Sequence, residues 1–265
     1  MKETITLSGV PETMLQTLYA RAKETTTRGA IRDEKAAELV QHLDYDFSLA
    51  DKDPAMHNGV IARTIVLDRL VQNYLTANPG AAVVNIACGL DTRCYRMKGY
   101  RHWYNLDLPE TIRVRAQLIP EDGDITQIAM SAMEPWGAKI LETDGPVLVI
   151  MEGLTMYLSE ADVKQIFAVI AGRFAHATVF VEIMSPAMAK HVKEKSIEGS
   201  HAKFTWGVKN GKVLSSLLPG TRFIAEHSLT EGMAVFSPIY KVLDKIPPIR
   251  NISNRIIVLE QEGTK

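Results

Sequence analysis

The feature that most constrains the fold of this chain is a short apolar run that ends in a small turn, residues 82–93. Eighteen positions after Gly89, a second apolar run ends in Asp107. A strand, a tight turn and an acid at the tip of the next strand form the arrangement by which an α/β sheet holds an adenosine. Small residues let the backbone approach the ligand, and the carboxylate accepts hydrogen bonds from the ribose hydroxyls. The segment therefore predicts a nucleoside site beside a parallel sheet.

Strand-like and helix-like patterns alternate through the rest of the chain. The candidate strands are 82–87, 102–107, 124–130, 146–152, 177–184, 221–228 and 255–260, and the candidate helices between them are 109–119, 134–142 and 159–172. Several strands are continuously apolar, which is typical of a parallel sheet covered on both faces. Ser159 is the expected N-cap of the third helix. The alternation predicts a doubly wound α/β sheet with right-handed crossovers.

The residues before the first strand are expected to be helical. Residues 10–45 and 59–77 have amphipathic patterns, and Asp53-Pro54 marks a break between them. We therefore expect one domain over residues 1–265, with a helical cap at 1–78 and the sheet at 79–265. Within the latter, residues 185–216 are a candidate lid, although a solvated surface helix explains their polar composition equally well.

The charge balance argues against several classes of partner. The 30 Lys and Arg residues nearly balance the 31 Asp and Glu residues, which gives a net charge of −1. Neither nucleic acid nor an anionic membrane is therefore expected as the main partner. Two cysteines, Cys88 and Cys94, fit neither a secreted disulfide framework nor a zinc pair. No apolar run reaches the length of a membrane span. These observations predict a cytoplasmic monomer or homodimer without a metal site.

The turn after the first strand narrows the choice of nucleoside ligand. No G-x-G-x-x-G follows that strand, and the turn contains only Gly89. A dinucleotide pyrophosphate needs several close backbone approaches, so binding of NAD is disfavoured. P-loop, G-x-S-x-G and H-E-x-x-H motifs are also absent from the sequence. S-adenosylmethionine, which carries an adenosine but no phosphate, is the common ligand that remains for this layout.

An ordered series of short segments extends over more than half of the chain. The segments are Gly9–Thr13 with Leu18–Ala22, Arg32-Asp33, Asp44–Phe47, Ala62–Thr64, Val84–Arg93, Asn105–Pro109 and Glu152–Leu158. In this order they resemble the leucine carboxyl methyltransferase family, which includes bacterial O-methyltransferases associated with polyketide biosynthesis. The resemblance implies a Rossmann-like class I methyltransferase with a mainly parallel seven-stranded sheet.

The resemblance also implies roles in binding S-adenosylmethionine and its product S-adenosylhomocysteine. Gly89 and its neighbours, Asp91 among them, are expected along the methionine and ribose end of the cofactor, and Asp107 at the ribose hydroxyls. Arg63 is expected to pair with the methionine carboxylate, joined by Arg21, for which Lys23 is the alternative. No metal is implied.

Further implied positions lie near the methyl group and the adenine. Glu152 and Tyr157 follow the fourth strand and are the candidate catalytic residues, with Glu152 also a candidate cofactor ligand. Ala87 stands where the family often has glycine. Ser131 and Ala132 stand where the family can place an acidic residue near the adenine, so contacts there are expected to come from the backbone.

Several of these residues also have simpler explanations. Asp107 precedes Pro109 and could cap the helix that begins there, and Asp91 could cap the helix after the turn. Arg63 lies on the inward face of its helix and could pair with a structural carboxylate instead of the cofactor. Tyr157 could be a core tyrosine.

The predicted reaction is transfer of a methyl group from S-adenosylmethionine to an oxygen atom. We expect a small-molecule hydroxyl or carboxylate as the acceptor, since nothing in the sequence suggests a surface for docking a protein. One alternative is methylation of a protein C-terminus, for which Lys190, Lys193 and Lys195 could bind the peptide. A noncatalytic S-adenosylmethionine-binding protein is the other.

Overall fold

The computed structural model describes residues 10–141, 144–191, 203–243, 245–246 and 251–263. Seven strands in these ranges form one sheet in the order β3-β2-β1-β4-β5-β7-β6. They are β1 (Ala81–Ile86), β2 (Tyr100–Asp107), β3 (Ile125–Ala129), β4 (Val147–Met151), β5 (His176–Ile183), β6 (Thr221–Ser228) and β7 (Arg255–Glu262). Neighbouring strands are parallel except at β7, which is antiparallel to β5 and β6. The predicted mainly parallel seven-stranded sheet is confirmed.

The strand order creates a crevice at the carboxyl end of β1. The chain continues from β1 to β2 on one side, while β4 pairs with β1 on the other side. Such a reversal of strand order is where open α/β sheets bind their ligands. Ile86 is level with Leu106 in β2 and with Met151 in β4. The turn after β1, Asp107 and Glu152 therefore meet at one edge of the sheet.

Within the described ranges, four helices precede the sheet: α1 (Val10–Thr26), α2 (Glu34–His42), α3 (Ser48–Asp51) and α4 (Pro54–Ala77). The expectation of a continuous helical stretch over 10–45 is wrong in detail, because the chain breaks after Thr26 and Asp33 begins α2 by accepting the Ala36 N–H. Helix α4 starts at Pro54, earlier than expected, because the Asp53 carboxylate caps it through the Met56 N–H. Proline at the first helical position is compatible with this cap.

The remaining helices are α5 (Arg93–Arg96), α6 (Pro109–Leu118), α7 (Glu160–Arg173), α8 (Pro186–His191), α9 (Gly211–Leu217), α10 (Thr230–Met233) and α11 (Tyr240–Leu243). Ser159 is the N-cap of α7, as predicted, and it forms a reciprocal capping box with Asp162. The helix predicted over 134–142 is only a 3-10 turn, Trp136–Lys139. Its Gly137 packs so closely on Arg173 of α7 that a Cβ there would lie 2.7 Å from the Arg173 Cβ.

The two faces of the sheet are covered by different helices. Val84 of β1 packs in the same buried cluster as Phe167 of α7, whereas Val83 packs with Leu67 and Val71 of α4 on the opposite face. This alternation follows from the two-residue period of a strand and explains why β1 is apolar throughout. No helix in the described ranges combines the length and the apolar character that crossing a membrane requires. Within the candidate lid, residues 192–202 lie outside the described residues.

Candidate functional site

A cavity of about 400 Å³ opens beyond the carboxyl ends of β1, β2 and β4. Helices α1 and α4 and the segments after β1, β2, β3 and β4 contribute residues to its wall. All of the site residues predicted from the sequence line it, namely Arg21, Arg63, Ala87, Gly89, Asp91, Asp107, Ser131, Ala132, Glu152 and Tyr157. The tertiary structure thus brings together residues that are up to 136 positions apart in the chain (157 − 21).

The turn after β1 has an unusual backbone conformation. Ala87 has a φ angle of +54° and Gly89 one of +48°. This left-handed region suits glycine, and a side chain there costs roughly 1–2 kcal/mol. Ala87 is the one non-glycine residue with a positive φ among the residues that the structure describes. At Gly89, a Cβ would lie 3.2 Å from the Cβ of Met14 in α1. The turn is therefore tight, and the cap helix α1 closes directly against it.

Asp107 joins this turn to the start of α6. Its Oδ2 accepts the Gly89 N–H at 2.8 Å, and its Oδ1 accepts the Leu108 N–H at 2.7 Å. Leu108, not Asp107, occupies the N-cap position of α6, so simple capping does not account for the contacts of the carboxylate. Burial raises the pKa of Asp107 above its usual value, although the two backbone donors oppose this shift. The carboxylate lies at the cavity wall with acceptor capacity remaining.

Arg63 of α4 is held by two carboxylates. Its Nε lies 2.6 Å from Glu152 Oε1, and its Nη1 lies 3.2 Å from Glu182 Oε2. Glu182 is fully buried and also accepts the Gly153 N–H at 2.8 Å and the Asn254 amide at 2.9 Å. The structural pairing considered for Arg63 therefore does occur. A ligand carboxylate at this position joins an existing ion network instead of meeting an unpaired cation.

Glu152 lies between two arginines. Its second oxygen, Oε2, is 2.8 Å from Arg93 Nη2. Burial alone raises a carboxyl pKa, but Arg63 and Arg93 outweigh that effect and hold the pKa of Glu152 below its usual value. A carboxylate that is ionised and paired through both oxygens is a poor proton acceptor. Its position therefore favours a fixed negative charge at the cavity wall over general-base catalysis.

Arg93 extends the network behind the cavity. It is almost fully buried and pairs with Asp91 at 2.5 Å and Asp68 at 2.7 Å. Asp91 also accepts the Arg93 N–H at 3.0 Å. Thr92, not Asp91, occupies the N-cap position of α5, so Asp91 supports the start of that helix from the preceding position while it lines the cavity. Although burial opposes its ionisation, Arg93 and Arg96 keep the pKa of Asp91 well below the usual range.

Arg21 approaches the turn after β1 from α1. Its Nε lies 2.9 Å from Asp33 Oδ2, and its Nη2 donates to the Leu90 carbonyl at 2.8 Å. The alternative residue, Lys23, is bound to Asp51 at 2.7 Å and does not line the cavity. Arg21 therefore links the cap helix to the turn, and its guanidinium is committed to these two partners.

The other end of the cavity is more apolar. Ser131 and Ala132 follow β3, and the Ser131 hydroxyl accepts the Met133 N–H at 3.3 Å. Tyr157 lies in a 3-10 turn after β4, with its ring centre 5.4 Å from that of Phe204. Leu154, Leu158, Met133 and Ile166 complete this region of the wall. Among the described residues, no cluster of three or more His, Cys, Asp and Glu side chains is suited to hold a metal ion.

Three residues important to this site were not predicted from the sequence: Asp68, Arg93 and Glu182. Arg93 stands at the end of the turn segment, but its partners are up to 59 residues away. Glu182 lies one position before the end of β5, and a charged residue near the carboxyl end of a strand was an available signal. Asp68 has no distinguishing local pattern, because it is one acidic residue on an amphipathic helix.

Comparison with known proteins gives a consistent result. The family model described as leucine carboxyl methyltransferase matches residues 14–171. The chain is 34% identical over 239 residues to the tetracenomycin polyketide synthesis O-methyltransferase TcmP of Streptomyces glaucescens, covering 88% of this chain and 87% of TcmP. It is 30% identical over 247 residues to the S-adenosyl-L-methionine-dependent methyltransferase dpfgK of Gibberella zeae, covering 84% and 83% of the two chains.

A solved structure supports the fold at low sequence identity. A Thermobifida fusca protein superposes with a TM-score of 0.56 at 12% identity, covering 92% of this chain and 94% of its own. At that level of identity the similarity concerns the arrangement of strands and helices alone.

Proposed function

Because the chain belongs to the leucine carboxyl methyltransferase family, we propose that this methyltransferase binds S-adenosylmethionine in the cavity beyond β1 and methylates an oxygen atom of a small molecule. The observation that carries the proposal is the convergence of all ten predicted site residues on one cavity. That cavity lies at the point where the strand order reverses, which is the general ligand site of such sheets.

The residues present fit this cofactor. The turn at Ala87 and Gly89 brings backbone close to the cavity. Asp107 can accept from the ribose hydroxyls with its remaining lone pair and, once the Thr111 side chain is released, with the lone pair that this contact occupies. Arg63 faces the cavity and can share its guanidinium with the methionine carboxylate. Glu152 and Asp91 add negative charge near a ligand that carries an ammonium and a sulfonium. The relative dpfgK is itself named as S-adenosylmethionine-dependent.

When it is bound, S-adenosylmethionine supplies a methyl group already activated by its positive sulfur. The chain then has two tasks, which are to align the acceptor oxygen with the methyl group and to exclude water. Helix α1 closes one side of the cavity through Met14, and Leu154, Tyr157 and Leu158 form an apolar wall on another. Positioning of this kind can supply roughly 7–11 kcal/mol of the barrier.

The described lining residues contain neither histidine nor lysine. An acceptor carboxylate is already ionised at neutral pH, whereas a phenol with a pKa of about 10 has to lose a proton. Of the two lining arginines, Arg21 is paired with Asp33. Arg63, already paired with Glu152 and Glu182, is assigned to the methionine carboxylate, so neither arginine is left to bind an anionic acceptor. The name of the relative TcmP as a polyketide O-methyltransferase supports a hydroxyl acceptor. Because no lining residue is assigned as a base, the proton of that hydroxyl passes to solvent water when the methyl group is transferred.

The proposal is tested by titration and by methyl transfer. We expect calorimetry to detect binding of both S-adenosylmethionine and S-adenosylhomocysteine. We also expect methyl incorporation into phenolic small molecules, ahead of aromatic carboxylic acids and of peptides with free C-termini. Methylation of the peptides alone would favour a protein C-terminus as the acceptor. Two of the lysines predicted to bind such a peptide, Lys193 and Lys195, lie outside the described residues. Cofactor binding with no turnover on any acceptor would favour a noncatalytic role, and a chain that ignores both ligands would refute the proposal.

Three further predictions from the sequence belong to this proposal. They are a cytoplasmic location, a monomer or homodimer, and a single domain in which residues 1–78 form a cap on the sheet.

A further inference from the structure

Another buried ion pair lies behind the turn after β1, outside the cavity wall. Arg115 of α6 and Glu121 are both fully buried, with Nη2 and Oε1 2.5 Å apart. The Arg115 Nε also donates to Glu121 Oε2 at 3.2 Å. A planar guanidinium bound to a carboxylate at two points has a fixed orientation. The pair is therefore a rigid unit buried inside the protein.

The remaining edge of this guanidinium holds the turn itself. The Arg115 Nη1 donates to the Gly89 carbonyl at 2.9 Å. The Gly89 N–H in turn donates to Asp107 at 2.8 Å. Both polar backbone groups of Gly89 are thus held by side chains, one from α6 and one from the end of β2. The neighbouring residues of the turn are held by backbone bonds, from the Cys88 N–H to the Leu106 carbonyl at 3.1 Å and from the Asp91 N–H to the Cys88 carbonyl at 2.8 Å.

Glu121 connects the same unit to β2. Its two oxygens accept from the Asn105 amide nitrogen at 3.0 and 3.1 Å. Asn105 lies two positions before Asp107 on that strand and hydrogen-bonds to Asn85 of β1 at 3.4 Å. Replacing a buried ion pair by apolar residues often leaves stability unchanged or improves it. Net stability is therefore a weak explanation for a pair that contacts the turn so directly.

We propose that Arg115, oriented by Glu121, is a positioning residue for the cofactor site, because it fixes the peptide unit after Gly89 and thereby the approach of the turn to the ligand. The inference rests on the proposed function, since the ligand concerned is S-adenosylmethionine. Arg115 does not line the cavity, so it acts through Gly89 and not by contact with the ligand. Without it, the Gly89 carbonyl loses its partner and the turn can relax to another conformation.

The chain contains a matched control. Arg255 of β7 is also fully buried, pairs with Glu226 at 3.2 Å, and donates to a backbone carbonyl, that of Lys209, at 2.8 Å. None of these three residues lines the cavity. Arg115→Met and Arg255→Met therefore each remove a buried guanidinium that bridges a carboxylate and a backbone carbonyl. Arg115→Lys and Glu121→Gln serve as milder variants should Arg115→Met fail to fold.

Two measurements on the full-length protein distinguish the outcomes. By calorimetry, we expect the Kd for S-adenosylhomocysteine to rise at least tenfold in the Arg115 and Glu121 variants and less than twofold in Arg255→Met. By hydrogen exchange without ligand, we expect the amides of residues 88–91 to exchange at least tenfold faster than in the wild-type protein in the Arg115 and Glu121 variants, but not in Arg255→Met. Failure of the wild-type chain to bind S-adenosylhomocysteine would refute the proposed function. The hydrogen-exchange measurement would still test whether Arg115 fixes the turn.

Three results would overturn the inference. The first is an equal loss of affinity and protection in Arg255→Met, which indicates general destabilisation. The second is unchanged exchange at residues 88–91 in the Arg115 variants. The third is failure of all three Arg115 and Glu121 variants to fold, which makes the pair a requirement of the fold and not a positioning device.

Discussion

Replacement of Asp107 is the sharpest test of the cofactor site, because one carboxylate is assigned both a structural contact and a ligand contact. Its two oxygens accept the Gly89 and Leu108 N–H groups at 2.8 and 2.7 Å. The ribose hydroxyls are expected to donate to the lone pairs that remain. Asp107→Ala removes both kinds of contact, whereas Asp107→Asn keeps one oxygen and the shape of the side chain.

The magnitude follows from the number of hydrogen bonds lost. A hydrogen bond to a charged group contributes roughly 1.5–3 kcal/mol, and some of that is recovered when water fills the site. We expect Asp107→Ala to weaken cofactor binding by about 1–3 kcal/mol, which is roughly a 5- to 150-fold rise in Kd. The fold also weakens, because the Gly89 N–H then lacks an acceptor. A change in Kd alone therefore cannot separate the two roles.

A thermodynamic cycle on the ligand separates them. Calorimetry is performed with S-adenosylhomocysteine and with its 2′-deoxy analogue, on the wild-type protein and on Asp107→Asn. If the carboxylate binds the ribose, the wild-type protein discriminates between the two ligands and the variant does so much less, with a coupling energy of roughly 1–2 kcal/mol. A coupling energy near zero, both with this 2′-deoxy analogue and with the corresponding 3′-deoxy analogue, would refute the ribose role. Asp107 would then be only a support of the turn.

The remaining predictions concern the ion network, the turn and the cap. Arg63→Met should raise the Kd for S-adenosylmethionine, measured by calorimetry, at least tenfold. Its control is Arg69→Met, which breaks an exposed ion pair on the same helix and should change that Kd less than twofold. Equal effects of the two substitutions would show that Arg63 does not belong to the ligand site. Ala87→Gly should change unfolding free energy by less than about 0.5 kcal/mol in urea, because relief of strain at its φ of +54° offsets the added chain entropy. The control Ala82→Gly, in a buried strand, should cost about 1 kcal/mol or more, and equal losses would contradict the strain argument. Burial opposes ionisation of Glu24, but an ion pair with Arg28 and a hydrogen bond with His57 lower its pKa to about 2. Its contribution is therefore complete above its unfolded pKa of about 4.3 and is lost as pH falls toward 2. Screening at its half-exposed arginine partner reduces that contribution to about 1–2 kcal/mol, and Glu24→Gln should flatten the acid limb of stability against pH; an unchanged limb would show that these contacts contribute nothing.

Local sequence determined the sheet and the set of residues that follow its strands at the cavity edge. Each of the seven predicted strands overlaps an observed strand, because continuous apolar runs between polar turns have few other ways to be buried. The site residues after β1, β2 and β4 could be grouped for a related reason. Parallel strands place their carboxyl ends at one edge, so residues that follow different strands become neighbours whatever their separation in the chain.

Tertiary structure alone decided which charges pair. Arg63 and Glu182 are 119 residues apart, and no local pattern selects Glu182 from the 31 acidic residues of the chain. The same holds for the contact of Arg115 with Gly89 and for the break that divides the helices before the sheet. Backbone conformation depends mainly on neighbours in sequence, whereas the partner of a buried charge is whichever opposite charge the packed helices and strands bring within about 4 Å.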